Sequence, residues 1–165
     1  SFEVKPIRKG VLKGVSYEDF KNYRISISSL QKEIYLYNDS FSQSINNLKK
    51  FKIALSRTNV IPGDLNSKLY DVERELNLLE KMINGSSSKR EVGEKIKATI
   101  QSRLSFASRG LSTTYGPTKL HRESLELAKK AFNNLKPRVD KMFNQTLPNL
   151  KTLLDKSGSP HINSK

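Results

Sequence analysis

The chain has 165 residues, 35% of them hydrophobic, enough for one domain with a real core or two very small ones. It has no cysteine and only two histidines, His121 and His161, which excludes disulfides, thiol catalysis and metal sites built on cysteine or on several histidines. Thirty Lys and Arg against sixteen acids give a net charge of +14, and no apolar run approaches the roughly 18 residues of a membrane span.

Residues 1–15 read as an extended segment. Phe2, Glu3, Val4 and Lys5 alternate apolar and polar side chains, as a half-buried strand does, and Pro6 stops the alternation. A lone strand needs a partner sheet, so this segment is expected to belong to a preceding β module. Gly10 and Gly14 punctuate a basic connector.

From Ser16 the period changes. Ser16 with Asp19 predicts a helix cap, and apolar residues then recur at Phe20, Tyr23, Ile27, Leu30, Ile34, Tyr37, Phe41, Ile45, Leu48 and Leu55. Serine and asparagine are frequent in this stretch, so its stability has to come from burying the stripe. Asn59 to Asp64 is a break, and Asp64 is placed to cap a second helix with the stripe Leu65, Leu69, Val72, Leu76, Leu79 and Ile83. Asn84-Gly85-Ser86-Ser87-Ser88 ends it. Ser88 with Glu91 predicts a capping box for a third helix carrying Val92, Ile96, Ile100, Leu104 and Leu111, weakened near its start by Gly93.

Gly110 to Pro117 is the next break, with Tyr115 at its tip. Thr118 is placed to cap a fourth helix with Leu120, Leu127, Ala128, Ala131, Leu135, Val139, Met142 and Phe143. Pro137 and Pro148 each remove a helical hydrogen bond and should kink or interrupt it; Leu150, Leu153 and Leu154 resume the stripe, which predicts a bend at Pro148. The expected organisation is an extended segment over 1–15, a helical bundle over 16–157 and a flexible tail over 158–165. The fold class is all-α, an antiparallel up-and-down bundle of about four helices. Its long stripes also permit a homodimer through a shared seam.

Chemistry is sparse. Asp71, Glu73 and Glu75, and Glu91 with Glu94, sit among cations on polar helix faces and read as surface charges. His121, in the first turn of the fourth helix, reads as a surface or capping residue, and no nucleophile, phosphate loop or cofactor motif accompanies it. No catalytic residue, cofactor or metal ligand is expected, and the chain is read as no enzyme in its own right. Tyr17, Tyr23, Tyr35, Tyr37, Phe41 and Phe51 fall on or beside the first stripe and read as core. Asn38, Asn84 and Asn144 head Asn-X-Ser/Thr triplets, of which only Asn84 lies in a predicted loop.

The positive excess is spread along the chain: 11 basic and 5 acidic residues over 1–60, 9 and 7 over 61–110, 10 and 4 over 111–165. No cluster has the density of a basic arm. A polyanion, nucleic acid or an acidic glycan, would meet Lys49, Lys50 and Lys52 and, on the fourth helix, Lys129, Lys130, Lys136 and Arg138.

The order of these features is similar to one region of a known family. A strand Phe2-Glu3-Val4-Lys5-Pro6, a short connector, and Gly14-Val15-Ser16-Tyr17-Glu18-Asp19 opening a long helix carry the likeness. So do Arg103-Leu104, Gly116-Pro117-Thr118 and Thr146-Leu147-Pro148-Asn149-Leu150. This resembles the C-terminal helical region of large exported Bacteroidetes proteins of the sortilin-like (VPS10-type), BNR-repeat glycosyl hydrolase family. The resemblance implies a non-catalytic accessory domain that follows β and propeller modules of its parent chain, in an exported setting. Catalytic or carbohydrate-binding residues of that family would lie in the propellers, so none carries over. The strong basic charge and Pro137 depart from the family pattern.

Overall fold

A computed structural model describes residues 13–57, 63–95 and 97–157. The expectations for the strand over 2–5, most of the first break, Ile96 and the tail lie outside the described residues. Within them the chain is all-α. The elements are α1 (Tyr17–Ser56), α2 (Leu65–Asn84), α3 (Ser87–Glu91), α4 (Ile100–Ser108) with a 3₁₀ turn after it (Arg109–Ser112), α5 (Lys119–Lys141), a π-helical turn (Met142–Thr146) and α6 (Leu147–Lys156).

Pairings between helices fix their directions. Asn38 of α1 bonds Asn84 at the end of α2, and Lys52, further along α1, pairs with Glu73, earlier in α2, so the two helices run in opposite senses. The Tyr23 hydroxyl donates to the Ala107 carbonyl at 2.7 Å, which sets α4 beside the start of α1. Helix α4 therefore continues the path of α2. The Arg122 guanidinium lies over the Tyr23 ring, Lys136 pairs with Glu33, and Tyr37 bonds Asp140, so α5 follows α1 in the same sense. The helices expected from sequence thus stand in three columns: α1; α2 with α4 end to end; and α5 with α6. The third helix continues the second instead of forming a fourth column.

Local chemistry explains the ends. Ser16 accepts from the Asp19 N–H at 3.1 Å and starts α1 as expected. Asp64 stands at the start of α2 without a side-chain capping bond. The capping box expected at Ser88 and Glu91 is instead made by Thr99 and Ser102, each side chain bonded to the other's N–H. The reason is Gly93, whose φ of +71° closes α3 after one turn, with the Glu94 N–H reaching back to the Lys89 carbonyl. Val92, expected in the stripe, is exposed.

Helix α5 runs through Pro137 without interruption, so the kink or break expected there is not where the regular path changes. It changes at the π turn, where the Leu147 N–H bonds the Met142 carbonyl five residues back. That shift of register brings Pro148, which has no N–H to give, into the first turn of α6, where none is needed.

The core is one continuous seam. Tyr23, Ile27, Leu30, Ile34, Phe41, Leu48 and Leu55 of α1 meet every residue of the expected α2 stripe, together with Ile100 and Leu104 of α4. The seam a homodimer would share is thus covered within one chain. The α5 stripe differs from expectation at its start: Leu125 and Phe132 are buried, whereas Leu120 and Leu127 face outward. Leu79 is 0% exposed and Leu120 is 65% exposed. Leu79→Ala is therefore expected to cost about 2–5 kcal/mol by cavity formation, and Leu120→Ala to stay within about 0.5 kcal/mol. Urea unfolding of the two variants checks the contrast.

Candidate functional site

Four of the seven candidate polyanion contacts hold carboxylates of the chain itself. Lys52 lies over the Tyr70 ring, 4.1 Å from its centre, and is ion-paired with Glu73. Lys129 pairs with Glu126 at 2.9 Å, Lys136 with Glu33 at 2.8 Å and Arg138 with Glu75 at 2.7 Å. Lys49, Lys50 and Lys130 are exposed. The pairs of Lys52, Lys136 and Arg138 tie one column to another, so these cations serve the bundle before any external anion. The acids read as surface charges are likewise engaged: Asp71 lies 3.4 Å from Arg74, and Glu94 lies 3.1 Å from Lys89.

Two tyrosines carry the polar contacts of the seam. Burial raises the pKa of the Tyr23 phenol, with the Arg122 charge opposing it. Burial also pushes Tyr37 up strongly, helped by its 2.7 Å bond to Asp140 and by the negative charges of Asp140 and Glu33. The Tyr37 ring packs on Phe132 at 5.4 Å and on Phe143 at 6.3 Å, and Phe143 in turn meets Phe41. Tyr17 and Tyr35, read as core from their spacing, are exposed.

The chain leading into α1 is fastened to the loop before α5. The Val15 N–H donates to the Tyr115 carbonyl at 3.0 Å. Gly116 adopts a φ of +88°, and a Cβ on it would lie 2.2 Å from Val15 Cγ2. The same loop runs into the α5 cap, where Thr118 accepts from the His121 N–H and the His121 ring returns a bond to the Thr118 N–H. His121 also packs against Phe106 at 5.0 Å. It is a capping residue.

One concavity combines charge with an apolar floor. Where column two breaks between α2 and α4, a notch of about 510 Å³ opens onto Ile100, Ala131 and Leu135. Lys81, Lys89, Lys97 and Arg103 stand around it, and among the described residues no carboxylate lines it. These cations are spread over three elements and a loop, and sequence spacing gave no sign of them as a group. Asn38 and Asn84, two of the three triplet asparagines, are bonded to each other beside this break at 2.8 Å.

No family model matches the chain, and no curated protein or solved structure matches it. The four helical segments read from the residues stand on the fold itself.

The two phenols of the seam, Tyr23 buried and Tyr37 half-buried, set an alkaline limit. Both keep their protons in the folded chain above the ordinary value of 10.0, whereas the unfolded chain releases them there. Their contribution to stability is fully present below about pH 10 and declines as pH rises beyond it. Urea unfolding midpoints are expected to fall above about pH 10. Tyr37→Phe, which has no phenol to ionise, makes that fall shallower.

Proposed function

We propose that this chain is a non-catalytic accessory helical domain, with a structural and interaction role at the C-terminus of an exported multidomain protein. Its partners would be the β and propeller modules before it, as the family resemblance implies. The observation that supports this reading most is the fastening of residues 13–16 onto the loop at 113–117. The Val15 amide bond and the contact between Val15 and Gly116 set the direction in which the chain arrives at the bundle. Ser16 then caps α1 at once, leaving no slack between the contact and the helix. A linker that leaves its domains free needs none of this. A chain that presents a neighbouring module in one orientation does.

A second reading, a basic module for nucleic acid or an acidic glycan, draws on the net charge of +14. It has less support, because Lys52, Lys129, Lys136 and Arg138 already hold carboxylates. Binding to heparin and duplex DNA is expected to be weak and lost by about 150 mM salt, as counterion release dictates for a few loose contacts. Tight binding that survives that salt would promote the second reading over the first.

The first reading is tested in the parent protein by hydrogen exchange and limited proteolysis, with Gly116→Ala as the variant. The Val15 amide is expected to be protected in the parent. Gly116→Ala should release it and speed cleavage in the connector at least tenfold, as judged from an interaction worth about 1.4 kcal/mol or more. The amides of α1, α2 and α5 should keep their protection. An unprotected Val15 amide, or a gene with no β module upstream, overturns the proposal.

A further inference from the structure

The break in column two leaves a gap in the wall of the bundle, and what lines the gap has a definite chemistry. Helix α1 packs against α2, α4 and α6, and side chains of α5 reach it at Glu33 and Tyr37. Between Asn84 and Ile100 the chain leaves the column for the single turn of α3 and returns. Ala131 and Leu135 of α5 and Ile100 of α4 form the bottom of the notch, Ile100 and Leu135 each 5% exposed, and the exposed Met82 of α2 adds an apolar side wall. The volume, about 510 Å³, falls within the roughly 300–1,000 Å³ of pockets that hold small organic ligands.

The rim is cationic, and three of its four cations form no ion pair among the described residues. Lys89 pairs with Glu94. For Lys81, Lys97 and Arg103, no ion pair is formed among the described residues. This differs from the other interhelical cations, Lys52, Lys136 and Arg138, each of which holds a carboxylate of a neighbouring column. Like charges gathered around an apolar depression repel one another, and an anion seated there relieves that repulsion. The start of α4 opens onto the same space, but Thr99 already takes the Ser102 N–H. The side-chain cations, not the backbone, would hold a head group.

We infer that this notch binds a small amphiphilic anion: a short aliphatic chain or ring carrying one carboxylate, sulfate or phosphate. The floor of Ile100, Ala131 and Leu135 takes the apolar part, and Lys81, Lys97 and Arg103 take the anionic end. A fully hydrophilic polyanion would leave the floor uncovered, and a neutral apolar molecule would leave the rim uncompensated. Both ends of the ligand are therefore specified by the site.

Decanoate is the probe, with decanol and inorganic phosphate as the partial ligands, added to the full 165-residue chain and followed by methyl chemical shifts. Decanoate is expected to saturate a single site, shifting the Ile100, Ala131 and Leu135 methyls, and to weaken as salt is raised. Decanol and phosphate at the same concentration should each bind at least tenfold more weakly. Lys97→Glu and Lys81→Glu change exposed side chains, so the fold should persist, and each should weaken decanoate at least fivefold. Shifts spread over the surface, no saturation, equal binding of decanol, or unchanged binding in both variants would overturn the site. The outcome is independent of the accessory-domain reading, which concerns the opposite end of α4.

Discussion

The architecture follows from the length of α1. Forty residues of helix, about 60 Å, present an apolar stripe that has to be covered from end to end. The remaining helices are each too short for that: α2 has 20 residues, α4 has 9, α5 has 23 and α6 has 10. The stripe is covered only if short helices are placed end to end, and the chain does so twice. The descending column is α2 followed by α4, and the returning column is α5 followed by α6. Three columns result from four long apolar segments because the cover is made of pieces.

Pieces have joints, and the two joints are handled differently. In the returning column the helix is not broken: one π turn shifts the hydrogen-bond register so that Pro148 falls where a missing N–H is harmless, and Met142 and Leu150 stay in the core on either side. In the descending column Gly85 and Gly93, both with positive φ, end one helix and the next single turn. The chain leaves the column, and a notch lies at the joint. A proline can be absorbed inside a helix by a change of register. Glycines in the left-handed region turn the chain away. The difference between a smooth joint and a notch is thus a difference in backbone chemistry.

This also explains what was legible in the sequence. The stripes of α1 and α2 were readable because long amphipathic helices repeat their period many times, and each residue of the α2 stripe is buried. The third helix was misplaced because Val92 and Ile96 stand at helical spacing from Ile100, and spacing carries no information on whether Gly93 will take a left-handed conformation. On α5 two overlapping apolar rows were available; Leu120 and Leu127 belong to one, Leu125, Phe132 and Leu135 to the other. Only the position of α1 and α4 decides which row faces inward. The bond from Tyr23 to Ala107 spans 84 residues, and neither partner carries a local signature of it. The cations around the notch lie between positions 81 and 103 with a loop between them, and they form a group only because α4 resumes the path of α2.

The charge of the chain has to be judged by the same geometry. With 30 cations and 16 acids, carboxylates are the scarce partner, and several of them sit between columns: Glu33 against Lys136, Glu73 against Lys52, Glu75 against Arg138. Partly exposed pairs of this kind contribute little each to stability, about 0–1 kcal/mol. Their larger effect is on which cations remain available. A cation that bridges two columns has its position fixed and its field reduced by a neighbouring negative charge. A cation at a joint has no facing helix to supply that carboxylate. Three cations without an ion pair among the described residues, Lys81, Lys97 and Arg103, therefore stand at the joint between α2 and α4, beside the apolar lining of the notch. The coincidence of the two in one notch is a consequence of the broken column, and it gives that surface its selectivity for a ligand that is apolar at one end and anionic at the other.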